Sequence, residues 1–136
     1  MNERGDKPAM SKVLVLDDDT VNRKLLAAVL HHRGHSVIEA SDGNAGLALA
    51  CAERPDLIIS DIMMPTMDGF EFVRQLRARA EVAHTKVIFY TAYYHEREAC
   101  DLAVACGVSR VLMKSSGTRE IQQTVDEVLA GCYSRT

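Results

Sequence analysis

The chain has 136 residues, 47% of them hydrophobic and 26% charged, with a net charge of −3. That length suits one domain with a real hydrophobic core. The mild acidity excludes a broad basic field for nucleic acid, and no apolar stretch approaches the ~20 residues a membrane span requires.

The opening "MNERGDKPAM" is polar and lacks the apolar core of a signal peptide, so residues 1–10 read as a flexible leader. Cys51, Cys100, Cys106 and Cys132 show no C-x-x-C spacing. The first three fall in helical patterns, which favours free thiols and a reducing cytoplasm. The histidines do not pair with cysteines at zinc spacing.

"KVLVL" (12–16) is a short β-rich run. Residues 20–33 have helical character, with Val21, Leu25, Leu26, Val29 and Leu30 forming one apolar stripe that Gly34 ends. "HSVIEAS" reads as a second strand, and "GNAGLALACAER" as a second helix ended by Pro55. "DLIIS" (56–60) is a third strand, followed by the Pro- and Gly-bearing loop "DIMMPTMDG". Asp68 is placed to cap a third helix, with Glu71 completing a capping box. "TKVIFYTA" (85–92) is a fourth strand, and "HEREACDLAVACG" a fourth helix stopped by Gly107. "SRVLM" is a fifth strand; 118–130 form a fifth helix with Ile121, Val125, Val128 and Leu129 on one side.

Strict alternation of strand and helix, with near-continuous apolar runs in strands one, three, four and five, predicts a parallel sheet covered on both faces. The expected fold is α/β: a three-layer, flavodoxin-like sandwich, doubly wound on a five-stranded sheet of order 2-1-3-4-5. In such sheets ligands bind beyond the carboxyl ends of the strands. Strand one runs into Asp17, Asp18 and Asp19, strand three into Asp61, strand four into Thr91 and strand five into Lys114. In the predicted order these strands are neighbours, so their side chains share one edge.

That set is chemically coherent. Clustered carboxylates repel one another, and two charges about 4 Å apart at an effective dielectric near 20 do so by roughly 4 kcal/mol. Hard carboxyl oxygens favour an octahedral cation such as Mg²⁺, which relieves the repulsion. Beside it, Lys114 can pair with a phosphoryl oxygen and Thr91 can hydrogen-bond another. One carboxylate can be the nucleophile that forms an acyl phosphate. Phosphoryl transfer needs mainly positioning and charge neutralisation.

At these residues the sequence resembles the receiver domain of bacterial two-component response regulators, with a chemotaxis-regulator-like layout. The likeness covers residues 11–131, leaving a short tail, 132–136, and is carried by "VLVLDDD", "DLIISDIMMPTMDGFEF", "VIFYTA" and the Lys114 after "VLM". The resemblance implies that Asp61 accepts phosphate, that Asp18 holds Mg²⁺ (or Mn²⁺) directly and Asp17 partly through water, and that the Met63 carbonyl adds a ligand. It also implies that Thr91 follows the incoming phosphate and that Lys114 binds its oxygen. The implied partners are a sensor histidine kinase or histidine phosphotransfer protein and an output domain or downstream protein; a weak homodimer through helices one, four and five is also compatible. Asp19 has no role in the family pattern and reads as a surface acid or helix cap.

This chain departs from the pattern in two places. Ser115 follows Lys114 where the family usually has Pro, often after a cis bond. A cis bond before a non-proline costs about 3 kcal/mol, so either the bond is trans and the loop re-aims Lys114, or a strained cis bond is held. Val111 stands where the family usually has the aromatic switch residue, leaving Tyr94 as a candidate substitute. Met63 and Tyr93 flank the implied path of the hydrolytic water, and their bulk predicts slow self-dephosphorylation.

The expected function is a cytoplasmic phosphorylation-dependent switch that catalyses only its own phosphorylation and dephosphorylation. Three alternatives compete. An Asp-nucleophile phosphatase usually carries a second Asp where Met63 stands, and a cap domain. A flavin module needs a Ser/Thr/Gly-rich loop where "DDDT" stands. A receiver that acts by binding without phosphorylation is kept in play by Ser115 and Val111.

Overall fold

A strand with no polar face must be covered on both sides, and four of the five strands here have only apolar side chains between their end residues. The computed structural model describes residues 11–92, 101 and 103–131. In chain order it contains β1 (Lys12–Leu16), α1 (Thr20–His32), β2 (Ser36–Ala40), α2 (Gly43–Glu53), β3 (Leu57–Ser60) and α3 (Gly69–Arg77). A 3₁₀ turn (Ala80–Val82), absent from the sequence reading, precedes β4 (Lys86–Thr91). A helical segment described at residues 101 and 103–106 (α4), then β5 (Arg110–Met113) and α5 (Thr118–Leu129), complete the order. The sheet runs β2-β1-β3-β4-β5 with every pair parallel, as the alternation predicted.

The two-residue period of the strands sorts the core into two layers. Leu14, Leu16, Ile58, Val87 and Phe89 face Leu47, Phe72, Val73 and Leu76 of α2 and α3. Val13, Val15, Ile59, Ile88, Tyr90 and Leu112 face Leu26, Leu30, Ile121, Val125 and Val128 of α1 and α5. Fully burying one such side chain contributes about 2 kcal/mol, so these layers hold the sheet edges in register.

Local details correct the sequence reading in two places. The apolar stripe of α1 is narrower than expected: Leu26, Val29 and Leu30 are buried, but Val21 and Leu25 are 75% and 60% exposed. The capping box of α3 is only half formed. Asp68 Oδ1 accepts from the Glu71 N–H at 2.9 Å, while the Glu71 carboxylate accepts from Arg74 and Gln75 instead. Helix α2 stops before Pro55 because Arg54 turns left-handed, with φ of 47°. Gly34, at φ 90°, ends α1 in the backbone region that suits glycine.

Candidate functional site

The strand ladders continue one step past the strands and so fix the polar residues. The Asp61 N–H donates to Leu16 O at 2.9 Å, the Lys114 N–H to Thr91 O at 2.8 Å and the Asp17 N–H to Ala40 O at 3.2 Å. Each residue's main chain is thereby tied to the strand beside it. The loop after Asp61 is pressed against α3: the Gly69 N–H donates to Ile62 O at 2.8 Å. A Cβ on Gly69 would lie 2.6 Å from Asp61 O and 2.9 Å from Ile62 Cα, so only glycine fits there. Ser60 Oγ donates to Asp61 O at 2.8 Å from below.

Within this frame the side chains converge. Asp61 and Asp17 are buried, with 6% and 2% exposure. Lys114 Nζ donates to both, 3.0 Å from Asp61 Oδ2 and 2.8 Å from Asp17 Oδ2. Asp61 Oδ1 accepts from the Met63 N–H at 3.2 Å, and Asp17 Oδ1 from the Asp19 N–H at 2.9 Å. Arg23 Nη1 braces Asp17 through its carbonyl at 2.8 Å while Arg23 Nε holds Glu39 at 3.0 Å. Asp18 is exposed, yet its carboxylate and those of Asp17 and Asp61 offer oxygens all within 4.8 Å of one another. Thr91 is fully buried, and its Oγ1 has no hydrogen-bond partner among the described residues.

Burial pushes the Asp61 carboxyl up from its ordinary pKa, the Lys114 ammonium pulls it back, and the nearby Asp17 charge raises it further. Burial acts against the Lys114 ammonium too, but the hydrogen bonds and charges of Asp17 and Asp61 outweigh it and raise its pKa. Ionised, the three carboxylates and one ammonium leave two negative charges in a small space. The donor set is all oxygen and partly buried, which fits a hard divalent cation and no soft metal.

The residues singled out in the sequence therefore fall as follows. Asp17, Asp18, Asp61 and Lys114 lie within one cluster, and Thr91 closes β4 beside it. Met63 turns its side chain outward, 58% exposed. No peptide bond among the described residues is cis, so Lys114 reaches both carboxylates across a trans bond to Ser115. Asp19 caps α1, its Oδ1 accepting from the Val21 and Asn22 N–H groups. Val111 is half-buried against the α2–α3 layer, in register with Phe89. Tyr93, Tyr94, the first part of the fourth helix, the leader and the tail lie outside the described residues.

Three contributors carried no motif. Arg23 and Ser60 act through single hydrogen bonds to backbone, which no spacing rule announces. Tyr90 read only as a strand residue, yet the Lys114 Nζ lies 5.9 Å from its ring centroid.

Comparison with known proteins agrees with this fold. Residues 13–126 match the profile of the response regulator receiver domain. Protein PilH of Pseudomonas aeruginosa is 34% identical over 122 residues, covering 90% of this chain and 100% of that protein. The alkaline phosphatase synthesis transcriptional regulatory protein PhoP of Bacillus subtilis is 35% identical over 118 residues, which span 87% of this chain but 48% of PhoP. The solved structure of the Vibrio cholerae chemotaxis protein CheY4 superposes with a TM-score of 0.82 at 34% identity, covering 88% of this chain and 99% of that one. A buried aspartate bridged to a lysine at the carboxyl edge of a 2-1-3-4-5 sheet, and a matching profile across most of the sequence, lead to one statement: the chain belongs to the response regulator receiver domain family.

Proposed function

We propose that this receiver is a phosphorylation-dependent switch in which Asp61 accepts a phosphoryl group from a phosphohistidine of a sensor kinase or phosphotransfer protein. In that step an Asp61 carboxylate oxygen attacks phosphorus, an O–P bond forms, the P–N bond breaks and the imidazole leaves. The observation that carries the reading is the double bridge of Lys114 to Asp61 and Asp17. It holds the nucleophile in place and puts a positive charge where phosphoryl oxygens would arrive. Asp17, Asp18 and Asp61, with the Met63 carbonyl that the family pattern adds, would hold Mg²⁺ or Mn²⁺. A bound divalent cation supplies neutralisation of phosphoryl charge, the remaining need of this chemistry.

Thr91 supplies the response. A buried hydroxyl without a partner is costly, and a phosphoryl oxygen on Asp61 would satisfy it. Because the Thr91 carbonyl accepts from the Lys114 N–H, movement at β4 is felt by β5 and the face it shares with α5. The bias is a population shift between two arrangements.

Incubation with a small acyl phosphate and Mg²⁺, followed by intact mass, tests the reading. Wild type is expected to gain one phosphoryl group and Asp61→Asn none, with Lys114→Ala at least tenfold slower. Equal labelling of wild type and Asp61→Asn would overturn it, as would an unlabelled wild type.

A further inference from the structure

We propose that Tyr90 is a positioning residue for Lys114: its buried ring is the surface that keeps the ammonium over the two carboxylates. This rests on the assignment of Lys114 as the cationic partner of Asp61.

The backbone around Lys114 does little to aim its side chain. Strand β5 ends at Met113, the Lys114 N–H donates to Thr91 O, and the next anchor is the Ser116 N–H on Met113 O at 2.9 Å. Ser115 is exposed and its peptide bond is trans. A lysine has four rotatable side-chain bonds, so a half-buried ammonium that must serve two acceptors needs further support.

The register supplies it. Tyr90 pairs with Leu112 across the parallel β4–β5 ladder. Side chains two apart share a face, so Lys114 continues the row that Leu112 occupies and passes beside Tyr90. The ring itself is fixed: Tyr90 and Leu112 are 6% and 4% exposed within the layer that also holds Ile88, Ile121 and Val125. The Lys114 Nζ lies 5.9 Å from the ring centroid, within the range where the negative face of an aromatic ring attracts a cation. An aliphatic residue would keep the position apolar, though smaller than the ring, and present no such face. The ammonium is therefore held by two carboxylates from one direction and by an aromatic ring from another.

Two measurements test this on the full chain. In the first, the rate of labelling by a small acyl phosphate with Mg²⁺ is compared among variants. Tyr90→Phe keeps the ring and is expected to stay within twofold of wild type. Tyr90→Leu, and Tyr90→Met as a second variant of different shape, are expected to slow labelling about fivefold. In a Lys114→Ala background Tyr90→Leu should add nothing, because the residue through which Tyr90 acts is gone. An unchanged rate in both aliphatic variants, the same slowing in both backgrounds, or a Tyr90→Phe as slow as Tyr90→Leu would overturn the proposal. In the second, NMR of the Lys114 ε-methylene needs no phosphate. Its protons should lie upfield in wild type and Tyr90→Phe relative to Tyr90→Leu; identical positions would overturn the proposal even if labelling proceeds. Failure of wild type to be labelled would instead remove the function on which it rests.

Discussion

The two edges of the sheet are built to opposite rules. At the edge where the strands begin, several long polar side chains are committed to the fold. Arg77, at the end of α3, donates to Ala83 O at 3.1 Å, Thr85 O at 2.6 Å and Gly107 O at 3.0 Å, stitching two connections together, the one into β4 and the one into β5. The Lys12 N–H donates to Asp56 Oδ2 at 2.8 Å, and Lys12 Nζ pairs with Glu53. A cavity of about 370 Å³ opens there, lined by Arg77, His84 and Lys86. The Arg77 guanidinium is already committed to carbonyls, so its part of the lining serves the fold. At the edge where the strands end, one ammonium is shared by two buried carboxylates, a third acid is exposed and a buried hydroxyl has no partner among the described residues. The acidic cluster and the unpartnered Thr91 hydroxyl meet at this edge, and under the proposed function it is where an incoming phosphoryl group would be bound.

If this contrast is real, the largest stability effect belongs at the tied-off edge. Arg77→Met keeps the length and apolar stem of the side chain but strands its carbonyl acceptors. Loss of about 2–3 kcal/mol in urea unfolding is expected, with the labelling rate of the folded protein unchanged. A loss below 0.5 kcal/mol, or a labelling rate that falls in step with stability, would erase the division between the two edges.

The second effect, smaller, runs the other way at the site. Burial raises the Asp61 pKa above its unfolded value. Its contribution to stability is therefore present below the unfolded pKa and lost as pH rises through the folded one. Above that pKa the ionised group opposes folding, and a divalent cation offsets that. Mg²⁺ at ten times its dissociation constant should stabilise the chain by about 1.4 kcal/mol. The gain should fade as pH falls through the folded pKa of Asp61 and should vanish in Asp18→Asn. Thermal unfolding with and without Mg²⁺ from pH 7 downward measures both, and a gain that survives Asp18→Asn would move the cation elsewhere.

The same division explains what the sequence could disclose. Strand order, the two core layers and the meeting of Asp17, Asp18, Asp61, Thr91 and Lys114 were legible because they follow from period, alternation and the rule that sites form beyond strand ends. Val21 and Leu25 misled because an apolar residue at helical spacing does not say how wide the buried stripe is; both sit outside the contact of α1 with the sheet. The half-formed capping box misled because Arg74 and Gln75, three and four residues beyond Glu71, compete for its carboxylate. Ser115 raised a choice between a trans bond with a re-aimed lysine and a strained cis bond; the bond is trans, and Lys114 lies on both carboxylates. Arg23, Ser60 and Tyr90 were illegible because each acts through contacts that only the folded register creates.

The smallest expected effect tests the unpartnered hydroxyl directly. Thr91→Val replaces Oγ1 with a methyl group of similar size. At a tied-off position this swap costs stability, since it removes a hydrogen bond. At Thr91 the hydroxyl is buried without a partner among the described residues, so the methyl removes a desolvation penalty. Stability should be unchanged or rise by up to about 1 kcal/mol. Labelling of Asp61 should persist, because Thr91 lies outside the bridge of Lys114 to Asp61. What should weaken is the spectral change that follows labelling, read as amide shifts in β5 and α5 on adding a phosphoryl mimic. A Thr91→Val protein that is less stable by 1 kcal/mol or more, with those shifts intact, would show a hydroxyl bound within the resting fold and would move the response to another residue.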